Sequence, residues 1–151
     1  RAFDALAGRH RFMIVEGIGG VSVPLSRRRT VVDLIQRLRL PVLVVARLRL
    51  GTLNHTRLTV EHARRNRLRV VGVVLNATEV PSSDRGARLA QRTNPRVLQE
   101  CLSVPVLGVL PYRRDLAGRR VSAETLAHWI ATGVRPKNVF QFLGFSVFRF
   151  V

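Results

Sequence analysis

Residues 41–75, PVLVVARLRLGTLNHTRLTVEHARRNRLRVVGVVL, decide the fold. The continuous apolar run 41–46 predicts a buried strand, residues 52–66 have helical spacing, and residues 69–75 form a second apolar run. Strands that are apolar on both faces and separated by a helix are typical of a parallel sheet covered on both sides. This stretch therefore predicts an α/β protein with an open, doubly wound sheet.

The same alternation continues on both sides of this stretch. The other predicted elements are the end of a helix at 2–7, a strand at 11–15, a helix at 30–38, helical pieces at 82–93 and 95–102, a strand at 104–110 and a helix at 122–132. Thr30 and Asp33 have the spacing of a capping box. Asn94 and Pro95 predict a break between two helices, with Asn94 as cap and Pro95 at the first helical position.

The C-terminal stretch departs from the alternation. Residues 139–151 hold five of the seven Phe residues and have strong β propensity. Two interpretations stay open, an additional strand or a non-native tail from a shifted reading frame, and we slightly favour the tail. The expected division is a domain at 1–133 and a Phe-rich tail at 134–151.

The formal net charge of +17 points at first to a nucleic-acid partner. However, 25 of the 26 basic residues are Arg and they are spread along the chain, as a coding-level preference for Arg would produce. No aromatic residues are interleaved with them as stacking platforms. Specific nucleic-acid binding therefore remains only an alternative interpretation.

The cellular location of the protein and the state of its cysteine are predicted from features that the sequence lacks. No run of 18 or more apolar residues predicts a membrane span, and no signal peptide is recognisable, so the expected location is the cytoplasm. Cys101 is the only cysteine and excludes an internal disulfide. Its half-apolar helical surroundings predict a buried, inert thiol.

Candidate ligand-binding residues follow the predicted strands, because ligands of doubly wound sheets bind at the carboxyl ends of the strands. Glu16 precedes three glycines in four positions, a pattern suited to magnesium and phosphate as well as to a plain turn. The turn at 51–55 suits anion binding or simple helix capping. Asn76 suits an adenine edge or a turn, and the segment 111–113 can wall a base.

In their order and spacing, these segments resemble dethiobiotin synthetase over about residues 3–130. The stretches that carry the resemblance are VEGIGG at 15–20, VPL at 23–25, DL at 33–34, LPVLVVAR at 40–47, LGTLNHT at 50–56, LT at 58–59, GVVLN at 72–76 and VPVLGVLP at 104–111. The resemblance implies a P-loop NTPase-like fold, of which this chain holds the C-terminal part. It also implies an enzyme that uses ATP, magnesium and CO₂ to close the ureido ring of 7,8-diaminononanoate in biotin synthesis.

The resemblance also implies roles for individual residues. ATP would be bound by Glu16, Gly17, Ile18, Gly19, Asn76, Ala77, Pro111, Tyr112 and Arg113, with Glu16 as magnesium ligand. The diamine substrate would be bound by Pro24, Leu25, Gly51, Thr52, Leu53 and Asn54, the last four reaching its carboxylate across a homodimer interface.

The chain departs from the family where the phosphate chemistry is concentrated. The family has a glycine-rich loop ending in Gly-Lys-Thr near its start, whereas this sequence contains no Gly-Lys pair and a single lysine, Lys137. No catalytic residue is therefore assigned in this chain, and no turnover by it alone is expected. The alternatives are a related ATP-dependent amide-forming enzyme of cofactor synthesis, an Arg-rich nucleic-acid-binding module and a degenerate relic.

Overall fold

The computed structural model describes residues 2–10, 12–17, 19–80, 83–116, 121–134 and 146–150. Its main sheet has five strands in the order β1-β7-β4-β5-β6, and every neighbouring pair is parallel. These strands are β1 Met13–Gly17, β4 Val42–Arg47, β5 Val70–Asn76, β6 Val106–Leu110 and β7 Ser146–Phe150. The helices are α1 Ala2–Ala7, α2 Val31–Leu38, α3 Thr52–Arg65, α4 Arg85–Cys101 and α5 Ala123–Gly133. The predicted doubly wound α/β fold is confirmed.

The central strands β4 and β5 have apolar side chains on both faces, and each face packs in a separate apolar cluster. Val42 and Val44 belong to a large core cluster with Ile35 of α2 and Val60 of α3. Leu43, between them, packs instead in a second cluster that includes residues of β6 and the end of α5. Successive side chains of a strand point to opposite faces, so the continuous apolar runs bury the sheet on both sides.

The start of α2 confirms the predicted capping box. The Asp33 carboxylate accepts hydrogen bonds from the backbone N–H of Thr30 at 2.7 Å and from its hydroxyl at 3.0 Å. These bonds satisfy groups that a helix N-terminus otherwise leaves unpaired. They lower the pKa of the Asp33 carboxyl below its ordinary value of 3.8, mainly through the backbone hydrogen bond.

The predicted break at Asn94–Pro95 is wrong. One continuous helix, α4, runs through Pro95, and Asp84 caps it by accepting a hydrogen bond from the Ala87 N–H at 2.6 Å. Asn94 is buried within the helix instead of capping it, and Leu98 is fully buried. The packing of α4 against α3 and β6 supplies the burial that offsets the backbone hydrogen bond that proline cannot make.

The structure adds a hairpin to the predicted elements and corrects the expectation for Cys101. Residues after the glycine turn form a hairpin of β2 Pro24–Ser26 and β3 Arg29–Thr30, which leads directly into α2. Cys101, predicted to be buried, is an exposed free cysteine at the end of α4. Its thiol lies 3.9 Å from the Leu98 carbonyl oxygen, in the last turn of that helix.

The C-terminal stretch contains a strand, β7, as the first of the two interpretations expected. β7 lies inside the sheet, where Phe148 is in register with Val15 of β1 and with Val42 of β4. The segment 135–145, with most of the Phe-rich run before β7, lies outside the described residues. Among the described helices, none combines the length and apolarity needed to cross a bilayer.

Candidate functional site

A cavity of about 420 Å³ opens at the carboxyl ends of β4 and β5. Its position agrees with the rule that doubly wound sheets bind ligands at this edge. The lining residues are Gly19, Gly20, Val44, Val45, Ala46, Arg47, Arg49, Leu50, Thr52, His55, Thr56, Thr59, Asn76 and Thr78. Two ends of adjacent strands, the glycine turn and the first turns of α3 therefore meet at one site.

The beginning of α3 shapes one wall of the cavity. Gly51 precedes the helix with a φ of 90°, a left-handed conformation that glycine adopts without steric cost. Thr52 follows and is buried, with its hydroxyl oxygen 3.3 Å from that of Thr56. No acidic residue lies in the first turn of α3, so the positive end of the helix dipole faces the site uncompensated.

The electrostatics of the cavity are positive. Arg47 and Arg49 line it, and no Asp or Glu is among its described lining residues. One acidic side chain approaches from outside, because Glu79 lies 3.8 Å from both guanidinium groups. The arrangement suits an anionic ligand, whose charge the two arginines and the helix N-terminus would balance.

The structure brings together three of the predicted residues, Gly19, Thr52 and Asn76, from three separate segments. The predicted residues next to them in the sequence, Ala77, Leu53 and Asn54, do not line the cavity. The Ala77 N–H donates to the Leu110 carbonyl at 2.9 Å, so its backbone joins two strand ends. Leu53 packs against the core, and the exposed Asn54 lies beyond the cavity lining.

Pro24 and Leu25, which the resemblance also places near the diamine, do not line this cavity. Pro24 lines an adjoining groove of about 560 Å³ that shares Gly20 and Thr59 with the cavity. Leu25 lines a third hollow against α2. Glu61 also lines the adjoining groove, where a hydrogen bond from Arg57 at 2.7 Å lowers its carboxyl pKa.

The predicted phosphate and metal residues lie farther out. Glu16 and Gly17 are within β1, with Glu16 exposed, and neither lines the cavity. Ile18 lies outside the described residues. Within the described segments no three His, Cys, Asp or Glu side chains are grouped to hold a metal ion. Glu16 therefore fits a magnesium site only in the common mode where one carboxylate is supplemented by water and nucleotide phosphates.

The predicted base-flanking segment after β6 is held by its own contacts. The Pro111 carbonyl accepts a hydrogen bond from the Trp129 indole N–H at 3.1 Å. The Arg113 Nε donates to the Asp115 carboxylate at 3.0 Å, which raises the pKa of the guanidinium. Tyr112 is half-buried, and none of residues 111–113 lines the cavity.

Sequence reasoning missed part of the lining. Arg47 and Arg49 follow the same strand end that led to the prediction at 51–54, so the strand-end rule could have found them. No role was predicted for either arginine, because the positive charge of the chain was attributed to a general preference for Arg. His55 belongs to the turn at 51–55 that the sequence offered for anion binding. Thr59 and Thr78 carried no distinguishing signal, since their place in the lining depends on how α3 and the β5–α4 loop pack.

The parallel sheet and the cavity at its carboxyl edge define an α/β protein of the P-loop NTPase-like class. The chain belongs to the AAA domain family, whose model matches residues 1–120.

The curated relatives narrow the similarity further and confirm the resemblance seen in the sequence. An ATP-dependent dethiobiotin synthetase of Thermodesulfovibrio yellowstonii is 41% identical over 123 residues, which cover 77% of this chain and 50% of that protein. The enzyme of the same name from Anaeromyxobacter sp. (strain K) is 47% identical over 115 residues, 76% of this chain and 49% of that protein. The one from Bacillus subtilis (strain 168) is 41% identical over 123 residues, which cover 81% of this chain and 48% of that protein. The chain thus spans about half the length of these relatives.

Proposed function

We propose that this chain supplies the nucleotide-base and substrate side of an ATP-dependent dethiobiotin synthetase site. The reaction would be closure of the ureido ring of 7,8-diaminononanoate with CO₂ at the expense of ATP. The observation that carries the proposal is the cavity at the ends of β4 and β5, where Gly19, Thr52 and Asn76 converge. The named relatives, 41% identical over 123 residues and 47% identical over 115 residues, support it.

Two walls of the cavity, and Glu16 outside it, have chemical tasks in this proposal. The Asn76 amide, at the end of β5, offers a donor and an acceptor side by side for the edge of adenine. The first turn of α3 offers backbone N–H groups and a positive dipole to the substrate carboxylate. Glu16 would hold Mg²⁺ together with the nucleotide phosphates, where the ion supplies stabilisation of the transferring phosphoryl group.

The phosphate-binding loop with its lysine would come from residues other than those of this chain. Phosphoryl transfer in P-loop proteins depends on a glycine-rich loop whose lysine contacts the phosphates. No Gly-Lys pair occurs in the 151 residues. Turnover therefore requires a complementary segment with that loop, and the chain alone should be inactive.

The test is a complementation assay. The full chain is incubated with Mg-ATP, bicarbonate and diaminononanoate, alone and with the part of the Thermodesulfovibrio yellowstonii enzyme that it does not span. Dethiobiotin formation only in the mixture is the expected result. Asn76→Ala should raise the KM for ATP in the mixture, whereas Asn66→Ala, at the far end of α3, should not. A physical complex of the two parts that forms no dethiobiotin would refute the function.

Two finer features belong to the same proposal. The substrate carboxylate contact across a subunit interface requires a homodimer, which size-exclusion chromatography with light scattering would detect in the complemented protein. The cytoplasm is the proposed location, and fractionation of cells that express the tagged chain would test it.

A further inference from the structure

Two arginines and one glutamate form a small charged cluster at the mouth of the cavity. The Nη1 atoms of Arg47 and Arg49 each lie 3.8 Å from the same Oε1 atom of Glu79. Arg47 ends β4 and Arg49 is two residues further on, whereas Glu79 comes from the loop after β5. The cluster therefore connects the two loops that flank the cavity.

The contacts within this cluster are loose. A separation of 3.8 Å exceeds hydrogen-bond length, so each contact is a charge interaction without a directed bond. The three side chains are 50%, 55% and 63% exposed, and solvent weakens such pairs. The cluster also carries one excess positive charge, because two guanidinium groups share a single carboxylate.

A ligand anion would interact with the same arginines more strongly than Glu79 does. Guanidinium groups bind phosphate and carboxylate oxygens through short, directed hydrogen bonds. Both arginines line the cavity, and the N-terminus of α3 adds positive potential from the adjacent wall. An oxyanion seated in the cavity would therefore compete with Glu79 for both side chains.

The geometry points to an oxyanion subsite formed by Arg47 and Arg49, with Glu79 as a built-in competitor that holds the pair at the cavity mouth and is displaced by the ligand. The inference rests on the proposed function for the source of the oxyanion, either a nucleotide phosphate or the substrate carboxylate. The subsite itself needs no turnover and can be tested by binding alone.

The experiment measures binding of two probes to the full chain at constant ionic strength by isothermal titration calorimetry. Inorganic pyrophosphate represents the nucleotide phosphates, and nonanoate represents an aliphatic carboxylate. Arg47→Gln and Arg49→Gln should each weaken the preferred probe about tenfold, as loss of a charge-assisted hydrogen bond implies. Glu79→Gln should strengthen it about two- to fivefold, because an exposed competing ion pair is removed.

Matched controls come from the ion pair on α4, where the Arg96 Nε lies 2.8 Å from Glu100 outside the cavity. Arg96→Gln and Glu100→Gln change the net charge by the same amounts and should leave both affinities as in the wild type. Circular dichroism of each variant verifies that the exposed substitutions leave the fold intact.

Each outcome has one meaning. Weaker pyrophosphate binding with unchanged nonanoate binding assigns the subsite to nucleotide phosphate, and the reverse assigns it to the carboxylate. The subsite is refuted when Arg47→Gln and Arg49→Gln match Arg96→Gln for both probes, or when Glu79→Gln matches Glu100→Gln. Loss of dethiobiotin formation in the complementation assay with intact probe binding would refute the proposed function and leave the subsite standing.

Discussion

At the scale of single residues, two glycines determine how closely α5 approaches the sheet. A Cβ atom on Gly108 would collide with the Gly133 carbonyl oxygen, and one on Gly133 would collide with the Val109 carbonyl oxygen. Val134 forms a backbone bridge to Gly108 at this point. The end of α5 and β6 thus contact each other through their backbones, which side chains would prevent.

We expect Gly108→Ala to lower the free energy of unfolding by about 1–3 kcal/mol, because the added methyl group collides with backbone that cannot rotate away. Urea unfolding followed by circular dichroism measures the change. Gly20→Ala is the control, since a Cβ there meets nothing within 4 Å. Equal stability of Gly108→Ala and Gly20→Ala would show that α5 does not pack on β6 as described.

The capping box at Asp33 makes stability depend on pH. The folded-state pKa of Asp33 is lowered, so its carboxylate contributes stability that is complete above about pH 4 and is lost as the pH falls through the folded-state value. Asp33→Asn should therefore unfold at a lower temperature than the wild type at pH 7, with the difference shrinking towards pH 3. Thermal unfolding across this range tests it, with Glu124→Gln in the first turn of α5 as control. A difference independent of pH would contradict the charge-based explanation.

Residue by residue, the candidate site was only partly predictable. Gly19, Thr52 and Asn76 were found because each follows a strand or opens a helix at the ligand-binding edge of a parallel sheet. The family resemblance implied roles for Leu53 and Asn54 together with Thr52, but successive residues of a helix point in different directions and only Thr52 of the three lines the cavity. Arg47 and Arg49 follow the end of a predicted strand as well, but no role was predicted for them in a chain that is rich in arginine throughout.

At the scale of elements, apolar runs and caps predicted most helices and strands to within one or two residues. The run at 69–75 became β5, and the spacing at 52–66 became α3. Local signals suffice there because the apolar pattern and the capping residues of an element lie close together in the sequence. They failed at Pro95, where the local preference for a break is overridden by the burial of Asn94 and Leu98 on α3 and β6.

Pro95 lies inside α4, where proline lowers the stability of a helix. Pro95→Ala restores a backbone N–H that can bond within the helix and removes a ring that crowds the preceding turn. Without proline the unfolded chain is more flexible, which offsets part of this benefit. We therefore expect a net gain of about 1–2 kcal/mol in the free energy of unfolding. Urea unfolding measures it, with Arg96→Ala as a neighbouring control. Destabilisation by Pro95→Ala would instead favour two helices that meet at this residue.

At the scale of the whole molecule, the order of the strands was beyond sequence reasoning. β1 and β4 follow one another among the strands of the main sheet, yet they do not pair, because β7 lies between them. Parallel pairing depends on contacts between residues far apart in the chain, and no local pattern encodes which strand enters which position. The apolar, β-branched and aromatic composition of the C-terminal stretch indicated a strand only as one of two interpretations.

The position of β7 makes the integrity of the sheet depend on the C-terminal residues. Among the described strands, β7 is the one that pairs with β1, and it links β1 to β4. Phe148→Pro removes a backbone N–H at the residue in register with Val15 and Val42, and proline is poorly tolerated inside a sheet. We expect a lower Tm and backbone amide exchange in Met13–Gly17 that is faster by about tenfold or more.

Hydrogen exchange read by mass spectrometry tests this on the full chain, and β6, which pairs with β5, serves as the internal control. Unchanged exchange in β1 would mean that β1 is held by contacts other than β7, and the C-terminal residues would then be dispensable for the fold.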